Sequence, residues 1–211
     1  MGIRRSVVAA ALVAVLAGCS TTERAAEPPA TQAPVIVPGT PGGPNQTLSA
    51  PPSRTSGVDP DDVAFLADMM VHHTQALRMA GYAATSAENA KVKALAERIR
   101  VGQQPEIEAM RQMLVARAQT PPDLTHVDHM DHSDMPGMAT HDELTTLEKT
   151  RGKAFDQLFL SLMIKHHQGA VTMSGTVIDK GTDPQIGELA QEVGVTQTKE
   201  IATMRQLQKG L

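Results

Sequence analysis

Two histidine pairs, His72-His73 and His166-His167, each follow a methionine that lies four residues before the second member, Met69 and Met163. On a helix, positions four apart share a face, so a thioether and an imidazole from one turn can reach a common ion. Between the pairs, the polar stretch 125–141 carries His126, His129, Met130, His132, Met135, Met138 and His141, interleaved with Asp128, Asp131 and Asp134. Methionine gains nothing from packing in a polar loop. Thioether with imidazole suits Cu(I), and imidazole with carboxylate suits Cu(II). Zinc or nickel could use the histidines but would leave the methionines unexplained. The plainer reading of this stretch is an acidic linker whose histidines are incidental.

The two pairs belong to a repeat. A shift of 94 residues lays Phe65 on Phe159, Met69 on Met163, both histidine pairs on each other, Ala76 on Ala170 and Met79 on Met173. Without a gap, it then lays Leu95 on Leu189, Gln103 on Gln197, Glu106 on Glu200, Ile107 on Ile201 and Met110 on Met204. A register held this long implies a duplicated structural unit.

Within each unit the stripe Phe65, Met69, His72, Ala76, Met79 steps by four and three, as one face of a helix does. Its partner stripe is Leu95, Ile99, Gln103, Glu106, Met110. With equal rise and a turn near Ala87, His72 should lie opposite Gln103 and Met69 opposite Glu106. A turn near Gly181 does the same for His166 with Gln197 and Met163 with Glu200. His72 and His166 lead as metal ligands because they share the apolar seam, assisted by Met69, Met163, His73 and His167, the last two turned toward a flank. Gln103, Glu106, Gln197 and Glu200 would orient them by hydrogen bonds. The alternative is that these same Gln and Glu side chains satisfy ordinary buried histidines. Met79, Met173, Met110 and Met204 read as core filling.

Helix signals place these stripes. Asp59-Pro60-Asp61-Asp62 supplies an N-cap, a proline at the first helical position and dipole-favoured acids, and Asp183-Pro184 repeats the start. Thr140 and Glu143 form a capping box for the third long helix. Pro121-Pro122 stops the second helix near Ala118, and Pro105 should kink it. Strand-like alternation is absent. The fold class is therefore all-α: two repeated helical hairpins paired into a four-helix bundle over residues 58–211, with the His/Met-rich loop at 120–141.

Ahead of the bundle, Arg4 and Arg5 precede an apolar run from Val7 to Leu16, too short to span a bilayer. It ends in Leu16-Ala17-Gly18-Cys19, which resembles the lipobox of bacterial lipoproteins; residues 1–18 would be cleaved and Cys19 lipidated, with palmitate among the acyl chains. Residues 19–57 are rich in Pro, Thr, Ala, Ser and Gly and read as a flexible tether reaching about 35 Å. Residues 20–57 and about 120–139 are expected to be disordered without metal. Loss of Arg4 and Arg5 with the leader takes the formal charge from −4 to −6. An acidic chain has no electrostatic footprint for nucleic acid. The single cysteine, once lipidated, leaves no thiol for disulfides or thiolate metal sites.

A family resemblance rests on these motifs. Met135-Pro136-Gly137-Met138, Phe155-Asp156, Phe159-Leu160 and the run from Met163 to Ala170 resemble the bacterial family called domain of unknown function 305. The run from Met69 to Ala76 matches the same family's first motif. The resemblance implies a ferritin-like bundle, often exported, with some members linked to copper binding and tolerance. The run from Asp128 to His132 is also similar to repeats in bacterial copper-resistance proteins.

The residues thus point to an extracytoplasmic, membrane-anchored lipoprotein that binds copper, Cu(I) before Cu(II), for sequestration, buffering or delivery to a copper-handling partner, and to no catalytic residues. Two other readings stand beside it. One is a structural or interaction module of the cell envelope without metal. The other, a di-iron oxidase, lacks support because no glutamate stands three residues before a histidine. The leader reading has a direct test. Cys19→Ala should leave the precursor unprocessed or release the protein from the membrane, read by fractionation and intact mass; normal processing and membrane retention would defeat it.

Overall fold

In the computed structural model the described residues are 58–125, 127 and 134–211, together with the backbone of 35–37 and 46–48. The chain divides into two units, Met1–Arg54 and Thr55–Leu211. In the first, strands β1 (Val35–Val37) and β2 (Gln46–Leu48) pair antiparallel, Ile36 opposite Thr47. Both strands fall within residues 19–57, the stretch expected to be a flexible tether. Val35, Ile36 and Val37 are β-branched, which favours an extended strand. The leader and Cys19 lie outside the described residues.

The second unit is helical: α1 (Pro60–Ser86), α2 (Ala90–Ala116), the short α3 (His141–Lys149), α4 (Gly152–Lys180) and α5 (Pro184–Gln208). Its helix starts follow the sequence closely. Asp59 and Asp183 each accept a hydrogen bond from the backbone two residues on and are followed by proline, and Asn89 caps α2 the same way. The Thr140–Glu143 capping box is present in both directions, but it opens α3. The third long helix begins separately at Gly152, where φ is +67°. α2 runs without interruption through Pro105. It ends in a Schellman closure, with Gln119 donating to the Leu114 carbonyl and Ala118 to the Val115 carbonyl. Ala118 holds the left-handed position of that motif at φ 55°.

Helices α1 and α2 form one hairpin and α4 and α5 the other, with α1 and α4 packed against each other and α3 against both. The hairpins are tied reciprocally by two buried aspartates. Asp62, near the start of α1, accepts from the backbone N–H groups of Thr182 and Asp183 in the turn of the second hairpin, at 2.9 and 2.8 Å. Asp156, its counterpart near the start of α4, accepts from Glu88 and Asn89 in the turn of the first, at 3.2 and 2.8 Å. The exchange sets α1 and α4 antiparallel and closes both ends of the bundle.

The apolar core is in two parts. One gathers Met79, Leu95 and Ile99 with Phe155, Phe159, Met163 and Met204. The other gathers Phe65, Met69, Met70, Ile107 and Met110 with Ala170 and Leu189. Phe65 and Phe159, equivalent in the repeat, fall in different clusters, so the pseudo-twofold axis exchanges the two and runs between them.

Each buried aspartate satisfies two backbone donors. Asp62→Ala and Asp156→Ala should each destabilise the bundle by about 3 kcal/mol, the scale of leaving two such donors unpaired. Urea denaturation would measure it; a loss below about 1 kcal/mol in both variants would show that the turns do not depend on the aspartates.

Candidate metal centre

Between the two apolar clusters lies a polar layer. His72, His73, His166 and His167 are all fully buried, at 0 % exposure. The rings of His72 and His166 lie 3.7 Å apart, centroid to centroid, tilted by 37°. Residues that are each other's counterparts can meet only near the axis relating them, so this pair marks the centre of the bundle. His167 sits 6.2 Å from His166.

Each ring spends the same nitrogen. His73 Nε2 lies 2.6 Å from Glu106 Oε2, and His167 Nε2 lies 2.9 Å from Glu200 Oε2. His72 Nε2 bonds the Pro136 carbonyl and His166 Nε2 the backbone carbonyl of His72, both at 3.0 Å. A carbonyl only accepts, so His72 and His166 carry their proton on Nε2; an ionised Glu106 or Glu200 imposes the same tautomer on its partner. The Nδ1 atoms of His72 and His166 are then lone-pair acceptors, and the Nδ1 atoms of all four rings are buried with no hydrogen-bond partner.

The polar pairing differs from the one expected. Glu106 and Glu200 serve the second histidine of each pair, where the hairpin geometry had set them against Met69 and Met163. His73 and His167 do not turn to an outer flank; they are as buried as His72 and His166. Gln103 and Gln197 do not satisfy His72 and His166 either: both are buried and both amide atoms of each are unpartnered. The hairpin estimate assumed a turn near Ala87; the observed pairing lies four residues, one helical turn, further along α1 and α4, which a turn centred two residues later produces. Met69 and Met163 are fully buried, one in each apolar cluster, and Met79, Met110 and Met204 are core as expected, with Met173 partly buried. Among the described residues, no set of three or more His, Cys, Asp or Glu side chains is gathered in a metal-binding group.

The loop is more ordered than its composition suggests. His126, His129, Met130 and His132 lie outside the described residues. The part from Asp134 to Thr140 is a seated strap, which corrects the expectation of disorder there. Ala139 exchanges two hydrogen bonds with the side chain of Gln75, at 2.7 and 3.0 Å. Met138 is buried against Val71 and Val127, and Met135 packs beside them half-buried. Gly137 takes φ +79°, and a Cβ at Gly169 of α4 would collide with the Pro136 carbonyl. His141 is exposed at the start of α3. Sequence reasoning missed Gln75 and Gly169. They are equivalent positions of the repeat where it departs from itself, and that departure was the available signal.

Burial with no compensating charge governs the protonation of the central pair. Desolvation, then repulsion from His73, lowers the His72 pKa to about 3, against the weaker opposing pull of the Pro136 carbonyl. His166 is pushed well below 6.5 by desolvation first, then by His72, His167 and His73. Both imidazoles are therefore neutral at physiological pH, the form in which imidazole can ligate a metal.

Comparison with known proteins adds a family and a set of folds. The profile of the domain of unknown function DUF305 matches residues 62–208. A DUF305 fragment from Deinococcus radiodurans superposes with a TM-score of 0.66 at 33 % identity, covering 73 % of this chain and 99 % of that one. A candidate secreted DUF305 protein from Streptomyces coelicolor gives 0.62 at 30 %, covering 70 % and 91 %. CopM in its Cu(I)-bound form gives 0.57 at 29 %, covering 71 % and 96 %, and CopM is also known in Cu(II)-bound and Ag-bound forms. An uncharacterised protein, L153 of Acanthamoeba polyphaga mimivirus, is 37 % identical over 59 residues, which span 39 % of its length and 27 % of this chain.

The depressed histidine pKa values set a sign for stability against pH. The unfolded chain takes up protons below about 6.5 while folded His72 and His166 do not, so their contribution is full above that value and is lost as pH falls toward about 3. Two such groups give a slope approaching about 2.7 kcal/mol per pH unit well below 6.5. Urea midpoints of the metal-free protein between pH 7.5 and 4.5 would measure it. The slope should shrink in His72→Gln/His166→Gln; an unchanged slope in that variant would assign the effect to other groups.

Proposed function

The chain belongs to the DUF305 family, and from that premise we propose that it is an extracytoplasmic lipoprotein that binds copper for sequestration, buffering or delivery. The observation that carries the proposal is the set of four buried, unpartnered imidazole Nδ1 atoms. Leaving an acceptor buried and unpaired costs about 1–3 kcal/mol, and neutral imidazole is the commonest metal ligand among side chains. The likeness to CopM, whose structures hold copper, directs the choice of metal.

In this reading His72 and His166 are the leading ligands, with Met69, Met163, His73 and His167 assisting and Cu(I) preferred because thioethers are soft. Glu106 and Glu200 accept from the far nitrogens of His73 and His167, which fixes those rings and raises the basicity of the Nδ1 left free. Helix-borne ligands are held rigidly. The loop residues His126, His129, Met130, His132, Met135, Met138 and His141 would capture copper first and more weakly, because closing a loop on an ion costs ordering entropy. Met138 would have to leave its seat against Val71 and Val127 to take part. Cys19 would hold the assembly on the outer face of a membrane, and a copper-handling protein would be its partner.

The competing reading is a bundle of the cell envelope whose histidines serve packing alone. The Glu106–His73 and Glu200–His167 pairs favour it, since each accounts for one nitrogen of its ring. The free Nδ1 atoms count against it.

Anaerobic Cu(I) titration against a competing chelator separates the two. His72→Ala/His166→Ala should abolish the tightest site and leave a weaker one, whereas deletion of residues 126–133 should spare the tight site. Glu200→Gln should weaken binding about 10- to 100-fold without abolishing it. If the double variant keeps its tightest site and the deletion removes all copper, the bundle histidines are structural.

A further inference from the structure

The 94-residue repeat makes two equivalent grooves between α2 and α5, and they differ in charge. In one, Arg98 Nε lies 3.6 Å from Glu200 Oε1, a guanidinium standing over the carboxylate that holds His167. In the other, the place of Arg98 is taken by Glu192. There Glu192 and Glu106 line a groove of about 360 Å³ with Gln191, Val195 and Thr196. The side chain of Glu106 is correspondingly more open, 26 % exposed against 11 % for Glu200.

Behind Glu106 the chemistry is unlike that of an ordinary pair of surface acids. Its Oε2 reaches His73 at 2.6 Å, so the fully buried ring is directed at the groove while its Nδ1 has no partner. One turn earlier on α2, Gln103 is buried with neither amide atom partnered. An open, doubly acidic mouth is thus joined, through the Glu106–His73 hydrogen bond, to a buried imidazole whose other nitrogen has no partner.

We propose that the Glu106–Glu192 groove is the port through which a metal cation enters the histidine layer. The proposal rests on the copper reading above. Carboxylate oxygens attract the ion but are poor ligands for Cu(I), so they release it inward to imidazole and thioether. His73, bonded to Glu106, is the first imidazole on that route. Arg98 repels cations from the equivalent groove, which makes traffic one-sided in an otherwise two-fold molecule.

The test exchanges the two charges in the full chain and follows Cu(I) uptake, supplied anaerobically as its cationic acetonitrile complex, by rapid mixing with a chelator quench. Glu192→Arg should slow loading about 10-fold at low ionic strength, and Glu192→Gln by less. Arg98→Glu should speed it by opening the second groove. Stoichiometry and thermal midpoint should stay unchanged in the Glu192 variants. The rate differences should fade at 1 M salt, where screening acts within about 3 Å. A Glu192→Arg rate equal to wild type, or a slowing that salt does not relieve, overturns the port and leaves the copper reading standing. A wild-type chain that takes up no copper overturns both.

Discussion

The approach of His72 and His166 to 3.7 Å at the centre of the bundle is the constraint on which the rest depends. Two imidazoles this close, fully desolvated, cannot both carry charge; protonating either one buries a cation against its twin. The fold answers with neutrality. Both rings donate from Nε2 to a backbone carbonyl, and the two outer rings are held by carboxylates that reach the layer from α2 and α5. Apolar clusters on either side exclude water and sharpen every unmet interaction within the layer. An all-apolar centre would be easier to stabilise, so the layer is a place where the fold carries a burden that packing does not require.

Duplication explains why the burden takes this form. A residue near a pseudo-twofold axis meets its own copy, so one histidine pair per hairpin becomes four imidazoles in one layer. The same operation doubles the aspartate latch: Asp62 secures the turn after α4 and Asp156 the turn after α1. Neither hairpin supplies its own latch, which couples the two halves and fixes the axis on which the histidines meet. Symmetry then breaks at two places of consequence. Gln75 and Gly169 together seat the strap at 134–140 against one side of the layer, and Arg98 and Glu192 give the two α2–α5 grooves opposite character.

Much of this was legible in the sequence. The repeat, the helix starts and the stripe through Met69, His72 and Met79 identify the helical hairpins and place His72 and His166 in the interior, but not His73 and His167, which are equally buried. Side-chain pairing across a hairpin was less accessible: Glu106 was set against Met69, and it bonds His73. Periodicity locates a face, but cross-helix partners depend on a register that moves by a whole helical turn when the centre of the connecting turn moves by two residues. The strap and the ribbon of β1 and β2 were missed for a related reason. Polar, Pro- and Gly-rich composition predicts weak burial, yet a bidentate glutamine seats the backbone of Ala139 and one glycine admits that of Pro136 and Gly137.

The aspartates show the limit in another way. Asp62 was visible as a first-turn acid favoured by the helix dipole, and Asp156 as part of a family motif, but those are local roles. That both are buried and bind backbone more than 60 residues away follows only from the packing of one hairpin on the other. Their equivalence under the repeat was a usable signal, because an exposed dipole-favouring acid has no need to recur at a matched position. The same reasoning separates the metal candidates. Met79, Met110 and Met204 recur or align in apolar stripes and are explained by packing alone. The four histidines recur, lie buried and keep an unpartnered nitrogen each, so packing leaves a remainder. On the proposed reading that remainder is the ligand set. The charge difference between Arg98 and Glu192 then acquires a meaning that neither side chain has on its own, since a cation drawn to a buried acceptor needs one approach that attracts it more than the other.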